Sequence, residues 1–256
     1  MMRSRALTSF TWKILCCVGS LTLTQCDGTE IDGAGEDLGP YAEQMPWAEY
    51  MATAAMNTVE GVADSSACTT AAIRGLSDQI VDEMNCVRPG LMDDITTANV
   101  SLTSAAALPY LQNPAAGAIR RATSGRSRLS VNSTLRTVAQ QWILYRWYQT
   151  RRCGVSLAAR PGTSNHEDGL AFDTSEHASW KSHLSSFGFR WLGASDPVHF
   201  DYTGGADAKG VLAFQRLWNK NNASDRIGED GVYGAQTEAR IKKSPRNGFP
   251  RGATCK

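Results

Sequence analysis

The chain holds only four histidines in 256 residues, and two of them sit where their neighbours dictate a converging geometry. In Ser164-Asn165-His166-Glu167-Asp168-Gly169-Leu170-Ala171-Phe172-Asp173, a His and an Asp stand seven apart with a glycine between them. Pro161-Gly162 ahead of the stretch and Gly169 within it predict a loop entering a strand, not two turns of helix. In that strand Leu170 and Phe172 point into the core, while Ala171 and Asp173 point the other way. Asp173 then faces a site, and the small Ala171 leaves it room. Further on, Asp196-Pro197-Val198-His199-Phe200-Asp201 puts Pro197 at the second position of a turn, which brings the Cα atoms of Asp196 and His199 within about 7 Å. His166, Asp173 and His199 therefore make a two-His, one-carboxylate set, the pattern of a catalytic zinc site whose fourth position is open to water. Asp196 is left as a carboxylate beside that water.

These residues resemble a known family. Ser164, His166, Gly169, Ala171 and Asp173 are similar to the SxHxxGxAxD motif of the zinc D-Ala-D-Ala carboxypeptidases, the VanY-like murein peptidases of the hedgehog/DD-peptidase fold. Asp196 and His199 resemble that family's acid-x-x-His element, in which Glu often stands at the acidic position. The resemblance covers roughly residues 100–203. It implies zinc held by His166, Asp173 and His199, with Asp196 as the general base. Arg136, five places before Gln141, matches a further family element and is expected to stabilise the oxyanion. Ser164 and Gln141 are the expected substrate contacts. The implied reaction is hydrolysis of peptidoglycan stem peptides, with removal of a terminal D-Ala as the leading expectation. A murein endopeptidase using the same zinc chemistry, and a wall-binding protein whose zinc is structural, stay open. A serine nucleophile is disfavoured, because neither G-x-S-x-G nor S-x-x-K with K-T-G is present.

The N-terminus points to export. Arg3, Arg5 and Lys13 precede an acid-free apolar run from Ile14 to Leu23, which is signal-peptide length and too short to span a bilayer. Residues 1–26 read as a signal, and Leu23-Thr24-Gln25-Cys26 resembles a lipobox. A lipid on Cys26 and simple secretion both stay open. Cleavage at Cys26 leaves Cys68, Cys86, Cys153 and Cys255, an even number suited to disulfides in an oxidising compartment. Cys68 with Cys86 is the preferred local pair, with Cys255 as a staple for the C-terminus.

The chain then divides in order. Residues 27–45, rich in Asp, Glu and Gly, predict a tether. A helical N-terminal segment covers 46–99, with Ile73, Leu76, Ile80 and Met84 on one face and Arg88-Pro89-Gly90 closing the helical part. The core, 100–203, is expected to carry a strand within Ser127–Leu135, a buried helix over Val138–Tyr148 and a helix near His177–Phe187. Three more strands are expected at Leu170–Thr174, Phe187–Leu192 and Val198–Tyr202. The class is α+β. From Gly210, an apolar helical face precedes Asp230-Gly231-Val232-Tyr233-Gly234 and Thr237. That pattern resembles the DGxfGxxT signature of a peptidoglycan-binding repeat, so 204–256 reads as a small helical wall-binding segment or as a helical appendage on the core.

Charge and composition exclude more than they assign. A net charge of +1 argues against non-specific nucleic-acid binding. From Ile95 to His166 there are nine Arg, no Lys and no acid. That block suits an anionic ligand such as a stem peptide, or else its arginines pair with carboxylates outside it.

Overall fold

Apolar spacing and capping residues set where the helices begin and end. The computed structural model describes residues 56–205 and 207–256; the expected signal with Cys26, the tether and residues 46–55 lie outside them. Thr58 opens α1 (Val59–Asp64), its hydroxyl accepting from the Gly61 N–H at 3.1 Å. A 3-10 turn (Thr70–Ile73) leads into α2 (Arg74–Val87), which buries Leu76, Ile80 and Met84. Gly90, at φ +72°, turns the chain away after α2, as Arg88-Pro89-Gly90 predicts. Short strands follow: β1 (Met92–Asp94), β2 (Val100–Leu102) and β3 (Tyr110–Gln112). Next come α3 (Asn113–Thr123), with Pro114 in its first turn, and β4 (Leu129–Val131). β1 pairs antiparallel with β3, and β2 parallel with β4. α4 (Val138–Gln149) starts on a capping box of Thr137 and Gln140 and buries Val138, Trp142, Ile143 and Trp147.

The second half carries the sheet that matters. After a 3-10 turn (Asn165–Asp168) come β5 (Ala171–Asp173), α5 (His177–Ser185), β6 (Phe189–Trp191) and β7 (His199–Tyr202). These strands form an antiparallel sheet in the order β5-β7-β6. Its register sets Ala171 opposite Asp201, Phe172 opposite Phe200 and Asp173 opposite His199. Directly opposed residues share a face. Phe172 and Phe200 therefore stack at 5.4 Å on one face, with Phe189 edge-on to Phe172 at 5.1 Å. Together with Ile119, Trp180 and Leu184 they form one hydrophobic core. Ala171, Asp173, His199 and Asp201 fall on the other face, as the alternation predicts.

A second core joins the N- and C-terminal parts. α6 (Gly210–Asn221) packs on α2 and adds Phe214, Leu217 and Trp218 to the apolar side chains of α1, α2 and α4. The Asp168 carboxylate caps α6 by accepting from the N–H groups of Lys209 and Gly210, at 2.9 and 3.1 Å. Asp230 and Thr237 both meet Gln215 of α6, at 2.8 and 3.2 Å, so these residues brace the turn that precedes α7 (Ala235–Lys243). The described residues accordingly belong to one compact unit. Among the described residues, no helix is long and apolar enough to cross a membrane.

The disulfides correct the expected pairing. Cys68 bonds Cys153, and Cys86 bonds Cys255. The helix expected between Cys68 and Cys86 does form, and it sets Cys86 near the end remote from Cys68. A 14-residue helix is about 21 Å long, whereas bonded cysteines hold their Cα atoms within about 7 Å. Cys255 does staple the C-terminus to α2. Beside it, buried Glu83 accepts from Arg216 Nε at 2.8 Å and from the Thr254 hydroxyl at 2.7 Å.

Candidate metal centre

Three segments deliver the candidate ligands. His166 sits in the 3-10 turn, which ends at Gly169 in the left-handed region, φ +66°. A Cβ at Gly169 would lie 2.9 Å from the Gln112 backbone nitrogen, so both conformation and space require glycine there. Asp173 and His199 come from neighbouring strands. An isolated bridge between Ser133 and Asp173 ties the segment after β4 to β5, with two backbone bonds of 2.8 Å from Asn132 and to Ser133. That segment continues to Arg136, whose N–H donates to the His166 carbonyl at 3.0 Å.

The ring nitrogens are assigned by their outer partners. His166 Nδ1 lies 2.7 Å from the Thr134 carbonyl, which can only accept, so Nδ1 carries the hydrogen and Nε2 presents a lone pair. His199 Nε2 lies 2.8 Å from Asp201 Oδ1, so Nε2 carries a hydrogen and Nδ1 is the nitrogen turned inward. The three inward atoms form a near-equilateral triangle. His166 Nε2 is 3.2 Å from His199 Nδ1 and 3.3 Å from Asp173 Oδ1, and the third edge, His199 Nδ1 to Asp173 Oδ1, is 3.1 Å. A tetrahedral ion with bonds of 2.0–2.2 Å spaces its ligand atoms by roughly 3.3–3.6 Å. The donor set therefore fits a small divalent cation, and among the described residues no other such group of three or more meets.

Electrostatics points the same way. Burial acts against charge on both histidines, yet they end on opposite sides of the ordinary value. His166 is lowered by burial and by the Arg136 charge. For His199 the bonds to Asp173 and Asp201 outweigh burial and raise it to about 9. Burial pushes the Asp173 carboxyl up, but His166, His199 and Arg136 together hold it far below the carboxylate range. Three lone pairs packed this closely repel one another unless a cation sits among them, and here a proton on His199 plays that part.

Arg136, 20% exposed, donates from Nη1 to Gln141 Oε1 at 3.0 Å and from Nη2 to the Ser133 hydroxyl at 3.1 Å. Nη2 also lies 3.6 Å from Asp173 Oδ2, which places the guanidinium beside the ligand triangle. Gln141 is fully buried, with its other end donating to the Ala159 carbonyl at 2.7 Å. Both ends of the Gln141 amide are thus engaged within the protein, and what the side chain does is hold Arg136. Asp196 stands in the expected turn, closed by the His199 N–H donating to its carbonyl at 3.2 Å, and its charge is felt at Arg136. Ser164 precedes the 3-10 turn, half-buried. Within the Arg block, Arg120 pairs with Asp93 at 2.7 Å, Arg152 donates to the Ala63 carbonyl at 2.8 Å, and Arg126 lies over Trp180.

Two residues escape motif reasoning. Asp201, already seen at His199, could have been found from its position two places on, hence on the same strand face. Glu167 is buried beside His166, and its carboxylate accepts from the N–H groups of Gly162 and Ser164, at 2.8 and 3.2 Å. Burial raises it to about 8 against those bonds. Its signal was the Ser164-x-x-Glu167 spacing of a capping box. No protein-family model matches the chain, and no curated protein matches it significantly.

Proposed function

We propose that this chain is an exported zinc peptidase acting on the peptide stems of peptidoglycan, most simply a D-alanyl-D-alanine carboxypeptidase on a hedgehog/DD-peptidase-like fold. The observation that carries the reading is the 3.1–3.3 Å triangle of His166, Asp173 and His199, built on the motif residues that resemble that family. Two imidazoles and one carboxylate suit zinc in preference to the oxygen-seeking calcium or magnesium. When bound, zinc supplies Lewis acidity and lowers the pKa of water from 15.7 towards about 7.

The chain's own residues then divide the work. Asp196 takes the proton of the attacking water and returns it to the leaving amine. Arg136 keeps a positive charge next to the triangle, and its N–H donors not engaged by Gln141 and Ser133 serve the developing oxyanion. Gln141 orients that guanidinium. Ser164 is assigned a substrate contact on the resemblance. The two disulfides fit an oxidising compartment. Export through residues 1–26, with membrane contact only through a lipid on Cys26, completes the reading.

Defined muropeptides incubated with zinc-loaded protein, with product masses read out, test it. Loss of one terminal Ala from linear stems supports the carboxypeptidase. Cleavage confined to cross-linked dimers identifies the endopeptidase. Unchanged masses in both, with zinc bound, overturn peptidase activity and leave a wall-binding protein.

A further inference from the structure

The carboxylate of Asp201 lies at the junction of the two histidine-bearing segments. It is 5% exposed and stands opposite Ala171, a residue too small to compete for the same space. Oδ1 accepts from His199 Nε2 at 2.8 Å and from Asn165 Nδ2 at 2.8 Å, while Oδ2 accepts from Arg190 Nη2 at 3.0 Å. Asn165 directly precedes His166. One carboxylate thus ties the 3-10 turn that bears the first histidine to the strand that bears the second.

We propose that Asp201 is the positioning residue of the metal centre: it sets His199 to present Nδ1 and, through Asn165, couples that ring to the turn carrying His166. This rests on the metal-centre reading above. An imidazole alone can turn either nitrogen inward, and a partner that only accepts removes the choice. Three donors converge on Asp201, which as a carboxylate satisfies all of them. An amide of the same shape loses Arg190 if its NH2 group takes the Oδ2 place, or His199 and Asn165 if it takes the Oδ1 place, and in either orientation it lacks the negative charge that makes the His199 ring a stronger ligand. Partners of this kind contribute about 10- to 100-fold to metal affinity.

The test is zinc titration of the chelator-stripped full chain against a chromophoric competitor at one near-neutral pH. Asp201→Asn is expected to weaken zinc binding about 10- to 100-fold at unchanged stoichiometry, and to change the visible spectrum of the cobalt-substituted protein. Asn165→Ala, at an exposed position, is expected to weaken binding severalfold. The double variant should be no worse than Asp201→Asn alone. Arg190→Gln, removing a donor that is 66% exposed, is expected to change affinity less than threefold. Zinc binding within twofold of the parent in both Asp201→Asn and Asn165→Ala overturns the proposal, as do fully additive effects in the double variant. A parent chain that binds no zinc overturns the metal-centre reading itself, which keeps the two failures distinct.

Discussion

Asp173 and His199 face each other across an antiparallel strand pair, with Asp173 Oδ1 3.1 Å from His199 Nδ1. The register therefore does for these two candidate ligands what a loop would do less rigidly. His166 closes the triangle from a turn whose backbone and ring are both bonded to the segment 134–136.

Removing a ligand should remove the metal. His166→Ala and Asp173→Ala are each expected to lower zinc affinity more than the 100-fold ceiling typical of outer partners, with hydrolysis lost in parallel. Elemental analysis after dialysis, set beside a muropeptide assay, checks both. Full zinc retention in either variant would take that residue out of the ligand set.

The pH dependence follows from His199. Its metal-free value is raised to about 9, so at neutral pH it holds a proton that an incoming ion must displace. Zinc affinity is expected to rise about tenfold per pH unit and to flatten near that value. The sign for stability is opposite. In metal-free protein, a raised histidine adds stability that is fully present below its unfolded value of about 6.5 and is lost as pH climbs through about 9. Chelator-treated protein should melt lower at the alkaline end of that window, and a flat profile there would contradict the assignment.

Asp196→Ala separates binding from chemistry. Zinc is expected to stay, because Asp196 is outside the triangle, while turnover falls by about 10²–10⁴. Unchanged turnover on muropeptides would remove Asp196 from the reaction.

Gln141→Leu tests the hold on Arg136. The change leaves an Arg136 donor and the Ala159 carbonyl without partners, costing about 1–3 kcal/mol. Steady-state kinetics should show kcat falling with zinc content unchanged. A variant with wild-type kcat would mean that Arg136 is placed well enough by Ser133 and Asp173.

Replacing Cys86 and Cys255 together with Ser opens a link between residues 169 apart. The expected loss is about 2–5 kcal/mol, read as a lower midpoint in denaturant, with the zinc-binding affinity of the folded protein retained. Loss of affinity would show that the C-terminal staple supports the metal site directly.

Much of the site was legible in the chain because its constraints are local. Alternation along Leu170–Asp173 put Asp173 on the site face. Pro197 marked the turn before His199, and Gly169 marked the loop entering the strand. The strands and helices of 127–202 could be placed for the same reason, since each carries its own periodicity and punctuation. What the sequence by itself determined was which residues are candidate ligands and, for Asp173, which face of its strand it takes.

Tertiary structure decided the rest, because those facts depend on which segments meet. No periodicity announces that β5 lies beside β7 in the register pairing Asp173 with His199, or that Asp201 meets Asn165 36 residues away. The disulfides show the same division. The helix read between Cys68 and Cys86 favoured them as a local pair, but the fold brings Cys86 to Cys255 and Cys68 to Cys153. Gln141 changed from expected substrate contact to support for Arg136, because hydrogen bonding in a buried site is settled by every group that arrives there, not by spacing along the chain.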